Sequence, residues 1–576
     1  MSYIKTTTAR TLIFFLFLLP LVSCRTVEKE KSGAAIRLNQ LGYYPRSVKK
    51  VVVVNTKSTK FQIKTVEGNT VYEYILTKGK YWDKSGENVK IADFSDFSLP
   101  GKYFLSVKDA PPGHIFEISD DLYSSAFRAA LKSFYYIRSG IDIEEKYGGK
   151  WSRKGGHPDT LCFFHKSAQR GKGFAPSPKG WYDAGDYNKY VVNGGISVGT
   201  LLALYEMCPG IAGDMFAEIP ESGNGIPDIL DEVKYELDWL LTMQTRTGAA
   251  NMKLTSKTFS RFVMPDKDTL KRYFVGTGTA PALNLAATTA MAARIYKSYD
   301  AGFADRCLKT AEKAWKWAVE NPDVPFENPD DISTGEYGDT DFTEEFWWAA
   351  SELYLTTGDE LYENYLLTRK PYLTFAAGEN WRTFLGNLGS FSLLVSAKKI
   401  PSSLKKTLNA KLFSTADTLL KIAGTIPYRI PVDNFVWGSN SDILDAAMVL
   451  AYAYKLSGNK KYLYGVIETT DYIFGKNATG YSFMTGFGGK TPIHVHNRIC
   501  ASDGIAEPIP GLIVGGPNSQ RQDVAAGVTY PSGFEAKSYV DAEASYASNE
   551  TAINWDAPAV FVLGFLTECS SVSRGR

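Results

Sequence analysis

ELYLTTGDELYENYLL, residues 352–367, decides how the larger part of the chain folds. Apolar side chains recur at helical spacing on both sides of a Gly-containing polar break, and Phe346, Ala349 and Leu353 continue the stripe upstream. That pattern is two amphipathic helices joined as a hairpin. RIYKSYDAGFADRCLKTAEKAW (294–315) and YAYKLSGNKKYLYGVIETTDYIFG (452–475) repeat it. In DILDEVKYELDWLLTMQ (228–244), Leu230, Val233, Leu237, Leu240 and Leu241 share one face, and Pro227 stands where a helix can begin. Hairpins recurring over about 450 residues with few strand signals predict a helical toroid.

Upstream the texture differs. Between residues 36 and 119 seven short runs (IRLNQL, KVVVVN, FQIKT, VYEYIL, VKIADF, GKYFLSV, HIFEIS) alternate with breaks such as EGN, KSGE and LPG. This rhythm predicts a β-sandwich of immunoglobulin type, without the Cys-Trp-Cys signature. The expected organisation is multidomain: a sandwich over 36–119, then an all-α domain over 120–570.

The first residues belong to neither. TLIFFLFLLPLVS (11–23) follows Lys5 and Arg10 and has the length of a signal peptide. It ends in LVSC, which resembles a bacterial lipobox with Cys24 as the acylated residue. RTVEKEKSG then reads as a tether, giving a signal peptide over 1–23 and a tether over 24–35. This implies an outer-membrane lipoprotein; without lipidation the protein is secreted. No later run is apolar enough to cross a bilayer.

With 64 basic and 62 acidic residues there is no electrostatic case for a nucleic-acid partner. Aromatic content of 13% suits either bulky cores or a ring-lined sugar groove, and composition does not choose. The cysteines after Cys24 are five and widely spaced, with no disulfide framework. HPDTLCFFH places His157, Cys162 and His165 together, but a tetrahedral zinc needs a fourth ligand that is not apparent nearby.

The chemistry falls in long segments rich in Gly, Pro and aromatics. GWYDAGDYNKYVVNGG (180–195) sets Asp183 and Asp186 three apart among rings. An Asx or capping turn is the plain reading of those four residues. SFMTGFGGKTPIHVHNRIC (482–500) carries His494, His496 and Arg498, and YVDAEASYASNETAINWDAP (539–558) carries Asp541, Glu550 and Asp556.

Taken together, these three stretches resemble the signatures of glycoside hydrolase family 9, the inverting β-1,4-glucanases. Ser482, Thr485, Gly488, Lys490, Val495, His496 and Arg498 fit the histidine signature; Tyr539, Asp541, Tyr546, Glu550 and Ala552 fit the second. IPESGNGIPDILDE, EEFWWAASELYLTTGD, FVWGSNSDILDA and DGIAEPIPGLIVGGPN are similar to further family stretches. IRLNQLGYYP resembles the immunoglobulin-like domain that precedes many family catalytic domains. The likeness covers most of residues 36–566. The chain departs at Asp556, where the family usually has Asn, and at Asn554, where many relatives have Asp.

The resemblance implies an (α/α)₆ barrel and hydrolysis of β-1,4-glucosidic bonds in β-glucans (cellulose, mixed-linkage glucan or xyloglucan) by an endo-acting enzyme. Inversion takes an acid and a base roughly 6.5–9.5 Å apart on opposite faces of the sugar, so Asp183 and Asp186 cannot be that pair by themselves. By resemblance Asp186 is the base, Asp183 a second acceptor for the same water, and Glu550 the acid. His496 and Arg498 would contact substrate hydroxyls; Asp541 would orient Glu550 or Arg498, or bind a sugar hydroxyl. Trp181, Tyr187, Trp348, Tyr428 and Trp437 are the aromatic substrate-contact candidates. No cofactor is expected. Structural calcium occurs in some members, but its ligands are not placed by the sequence. The acid-rich SGNGIPDILDE reads as a helix start and an exposed face. An exo-acting glucosidase or glucosaminidase of the same fold, and a non-catalytic glycan-binding lipoprotein, are the alternative readings. The catalytic carboxylates argue against the latter.

Overall fold

The computed structural model describes residues 33–574, so the signal peptide, Cys24 and most of the tether lie outside the described residues. Nine strands, β1 (Ala35–Arg37), β2 (Gly42–Tyr43), β3 (Lys50–Val54), β4 (Lys60–Thr65), β5 (Thr70–Ile75), β6 (Lys80–Trp82), β7 (Glu87–Asp93), β8 (Gly101–Ser106) and β9 (Phe116–Ile118), form a sandwich of a four-stranded sheet, β1-β3-β7-β6, and a five-stranded sheet, β2-β9-β8-β4-β5. Lys80–Trp82 (β6) is a strand the alternation did not mark, because two of its three residues are exposed.

Strand β3 (Lys50–Val54) explains an uninterrupted apolar run. Val51 and Val53 enter the sandwich's own core, while Val52 and Val54 join the core of the helical domain. Successive side chains of a strand point to opposite faces, so a strand covered on both sides reads as continuous valine. The two domains therefore share a packed apolar boundary, which polar pairs reinforce. Lys50 pairs with Glu468 at 2.6 Å, and Asn39 donates to Asp471 at 2.9 Å. Fully buried Glu87 pairs with Lys537 at 2.9 Å and accepts from Tyr428 at 2.7 Å.

Among the described residues, twelve helices of nine residues or more build the barrel of the second domain, beside four single-turn helices. The twelve are α1 (Ser124–Tyr136), α2 (Val191–Met207), α3 (Asp228–Thr242), α4 (Thr279–Tyr296), α5 (Ala301–Glu320) and α6 (Thr343–Thr357), then α7 (Glu360–Thr368), α8 (Leu385–Val395), α9 (Ser402–Thr425), α10 (Ser439–Ser457), α11 (Lys460–Ile473) and α12 (Ile553–Arg574). The even-numbered helices are buried almost all round and make the inner ring of an (α/α)₆ barrel; the odd-numbered ones are amphipathic and lie outside. Glycines and alanines permit the inner packing: a Cβ on Gly199 of α2 would stand 2.5 Å from the Trp348 ring of α6. None of the described helices is long and apolar enough to cross a membrane.

The connections are asymmetric. Inner-to-outer turns are mostly short. In two of them a left-handed glycine (Gly358, Gly458) ends one helix and the next residue (Asp359, Asn459) caps the following one with its side chain. Outer-to-inner connections are long, and they gather at the N-terminal ends of the inner helices. A small sheet the sequence did not announce stiffens them, in the order β11 (Phe174–Ala175), β10 (Cys162–Phe164), β14 (Tyr273–Val275), β13 (Lys253–Thr255) and β12 (Lys189–Tyr190). Strands of two or three residues are too short to show a period.

Candidate active site

DAGD lies just before α2 and Glu550 just before α12, and α12 packs on α2. The barrel thus brings together segments far apart in the chain. The Gly185 N–H donates to Glu550 Oε1 at 3.2 Å. His496 pairs with Glu550 in a parallel bridge, and the Arg498 N–H and guanidinium Nη1 both donate to the Gly185 carbonyl, at 3.0 and 2.7 Å.

Each aspartate has its own partners. Asp183 accepts from Asn193 at 2.9 Å and from the Tyr337 hydroxyl at 2.8 Å. Asp186 accepts from the side chain of Asn188 and from Tyr190 at 3.4 Å. Burial raises the pKa of both. The Asp186 charge raises Asp183 further, whereas Arg498 and Arg272 oppose the rise at Asp186. The two arginines favour the charged form of Asp186, as the hydrogen bonds from Asn193 and Tyr337 favour that of Asp183. Burial, with Asp186 adding to it, pushes Glu550 up to about 8.

Burial holds His496 down to about 4, so its ring is neutral. Its Nδ1 lies 2.6 Å from the Glu543 carbonyl, which can only accept. Nδ1 therefore carries the proton and Nε2 is left as an acceptor. Asp541 does not bond Glu550 or Arg498. It accepts from the N–H groups of Ile493 and His494 and from Asn549, tying the histidine loop to the residue before Glu550. Arg498 is only 6% exposed and donates to carbonyl oxygens of Gly185 and Ser260, so it braces two loops instead of meeting a hydroxyl.

Four of the five aromatic candidates are corrected by their burial. Trp181 is wholly buried, with its N–H and indole donating to Glu236 and Glu232 of α3. Trp348 is inner-ring core and donates to Glu352. Tyr428 lies at the sandwich boundary against Trp82. Tyr187, 1% exposed, donates to the Val263 carbonyl at 2.5 Å. A ring with no accessible face cannot stack on a sugar. Trp437 is partly exposed and leans on Tyr546, 5.6 Å between centroids.

The Asp556 and Asn554 departure leaves Glu550 with its partner. Asp556 accepts from Ile513 at 2.6 Å, and Asn554 donates to Asn380 at 2.8 Å. His157, Cys162 and His165 do not converge. His157 contacts Tyr182 and Asp268, His165 pairs with Asp331, and the Cys162 thiol donates to the Asp159 carbonyl. Tyr337, Asn188, Asn193 and Asn549 bond within the site, yet no spacing in the sequence marked them. SGNGIPDILDE is not an exposed face: Asp228 and Glu232 are buried, and Asp228 accepts from Ala217 and Ser222.

Among the described residues one acidic group fits a metal. Asp339, Glu344 and Glu345 are buried, and each offers an oxygen within 4.8 Å of the others. Asp339 Oδ2 and Glu345 Oε2 have no hydrogen-bond partner. Burial raises all three pKa values, Glu344 to about 8. Three such carboxylates suit a hard divalent cation of the calcium type.

Comparisons with known proteins agree with this architecture. Residues 31–111 match the cellulase N-terminal ig-like domain and residues 123–563 match glycosyl hydrolase family 9. The chain is 41% identical over 567 residues to a xyloglucan-specific endo-beta-1,4-glucanase of Bacteroides ovatus, covering 94% of each. It is 34% identical over 553 residues to endoglucanase D of Acetivibrio thermocellus, covering 94% of this chain and 85% of that one. A solved Bacteroides ovatus GH9 structure superposes with a TM-score of 0.86 at 39% identity, covering 93% of this chain and 99% of the other. With the barrel, its immunoglobulin-like partner and the converging carboxylates in place, the chain belongs to glycosyl hydrolase family 9 and is a glycoside hydrolase.

Proposed function

We propose that this enzyme cleaves internal β-1,4-glucosidic bonds of β-glucans with inversion, xyloglucan foremost, using Glu550 as acid and Asp186 as base. The observation that carries the reading is the Gly185–Glu550 contact, which holds a protonated carboxyl against the turn that bears two aspartates. Glu550 gives its proton to the leaving oxygen as the C1–O bond breaks. A water attacks C1 from the opposite face and passes a proton to Asp186, with Asp183 holding the water's orientation. Neutral His496 accepts a sugar hydroxyl at Nε2, and Trp437 with Tyr546 offers a stacking face. Xyloglucan is favoured by the relative of the highest identity given above.

The test is a panel of xyloglucan, mixed-linkage glucan and carboxymethylcellulose, followed by viscosity, reducing ends and proton NMR. Fast viscosity loss with α-anomeric products is expected. Glu550→Gln and Asp186→Asn should each lower kcat by about 10²–10⁴-fold. Initial β-anomer defeats inversion, and monosaccharide release without viscosity loss makes the enzyme exo-acting.

We also propose that acylated Cys24 fixes the enzyme to the outer membrane, on the strength of LVSC and the polar tether after it. Cys24→Ala should move it to the soluble fraction at unchanged turnover. A wild-type protein that takes up no palmitate analogue overturns this.

A further inference from the structure

Lys253 of β13 is fully buried, and each of its hydrogen-bond acceptors lies in residues 328–335. Asn328 Oδ1 is 2.6 Å from the ammonium, the Gly335 carbonyl 2.5 Å, and the Thr334 hydroxyl and carbonyl 3.3 and 3.4 Å. All four are neutral. Burial works against the charge on Lys253, and Asp186 and Glu336 are the carboxylates that favour it. An ammonium taken out of water must have its hydration replaced by hydrogen bonds, so Lys253 and the shape of this segment depend on each other.

The segment belongs to the connection from α5 to α6 and leads into Tyr337, whose hydroxyl donates to Asp183 Oδ2 at 2.8 Å. The other oxygen of Asp183 accepts from Asn193, which stands on the inner helix α2. Of these two donors Tyr337 is the one carried by a loop, so its placement comes from whatever holds the loop. It has a left-handed φ of 52°, which a bulky residue adopts only under constraint. Its ring meets Tyr190 and Trp381 edge-on, with centroids 4.7 and 5.4 Å away. A Cβ on Gly335 would stand 3.0 Å from the Tyr337 ring, so the residue whose carbonyl Lys253 grips packs directly against the tyrosine. Lys257 holds the outer side of the connection through Asp331 at 2.6 Å, but that pair is exposed and contributes little.

Thr255, two residues along and on the same face of β13, reaches the other aspartate. Its Oγ1 lies 2.8 Å from Thr334 Oγ1 and 2.9 Å from Asn188 Oδ1, and the Asn188 side chain donates to Asp186. One short strand thus braces both carboxylates of the turn. We infer that Lys253 is a positioning residue for hydrolysis: by pinning residues 328–335 it sets the Tyr337 hydroxyl on Asp183, and so the orientation in which Asp183 presents the water to Asp186. The inference rests on the roles proposed above for those two aspartates.

Lys253→Met and Tyr337→Phe test it, singly and together, on the β-glucan that the wild-type enzyme cleaves fastest. Each single variant should lower kcat at least about tenfold with KM within about twofold of wild type, because the water is misplaced and the sugar contacts are not. The double variant should lose no more than about twofold beyond Tyr337→Phe, since Lys253 acts through that hydroxyl. A lysine that only supports the fold would lower the melting temperature and leave kcat alone, or its loss would multiply with that of Tyr337→Phe; either result overturns the inference. Should Lys253→Met fail to fold, Asn328→Ala removes one of its contacts at a partly exposed residue, and the same cycle with Tyr337→Phe decides. Wild-type kcat in both Asp183→Asn and Asp186→Asn would instead remove the reading beneath it.

Discussion

The backbone N–H of Gly185 donates to Oε1 of Glu550 across 3.2 Å and 365 residues of chain. A Cβ on Gly185 would lie 2.3 Å from the His496 carbonyl and 3.0 Å from Glu550 Oε1. The φ of Gly185 is not left-handed, so space alone demands glycine there. Gly185→Ala should keep the fold by circular dichroism and lower kcat at least about a hundredfold by shifting the acid. Wild-type kcat in that variant would show that the close approach is dispensable.

Activity and stability should part with pH. Glu550 must be protonated, so kcat/KM should fall as pH rises through about 8. Wholly buried Glu236 is raised from 4.5 to about 8 by burial. A carboxyl whose folded pKa is raised stabilises fully below the unfolded value and loses that contribution as pH climbs to the folded one. The melting temperature should therefore decline between about pH 5 and 8. Glu236→Gln should flatten that decline and leave the activity limb where it is. A pH–stability curve identical to wild type would refute the assignment.

Glu87 ties the sandwich to the loop that runs toward Asp541, through Lys537 and Tyr428. Glu87→Ala leaves the ammonium and the phenol unpaired at a buried boundary, a loss of about 3–5 kcal/mol. Removing residues 33–119 should cost more, because it also bares Trp82's partners and the surface under Val52 and Val54. Calorimetry reads both; a melting temperature unchanged by either would mean that the boundary contributes nothing.

Chelation should probe the Asp339, Glu344 and Glu345 group. EDTA should lower the melting temperature, calcium should restore it, and Glu345→Gln should abolish the calcium response. An EDTA effect that persists in Glu345→Gln would place the cation elsewhere.

Several features were legible in the chain itself. Helical spacing around Gly358 and Gly458 identified hairpins, because an amphipathic helix must repeat its apolar stripe every turn whatever it packs on. The valines of β3 marked a strand for the same local reason. Asp183, Asp186 and Glu550 were legible through their motifs, since each sits in a short stretch whose residues act together. Only the tertiary structure decided which rings can meet a sugar. Trp181, Tyr187, Trp348 and Tyr428 have the composition of a platform but no free face, whereas Trp437 is partly exposed. Asp541 and Arg498 likewise stand in signature positions, but Arg498 donates to backbone carbonyls and Asp541 accepts from backbone N–H groups and from Asn549. Periodicity and spacing are set by neighbours in the chain. Exposure, partners and charge state depend also on residues tens to hundreds of positions away, as Gly185 and Glu550 are, and these meet only when the barrel closes.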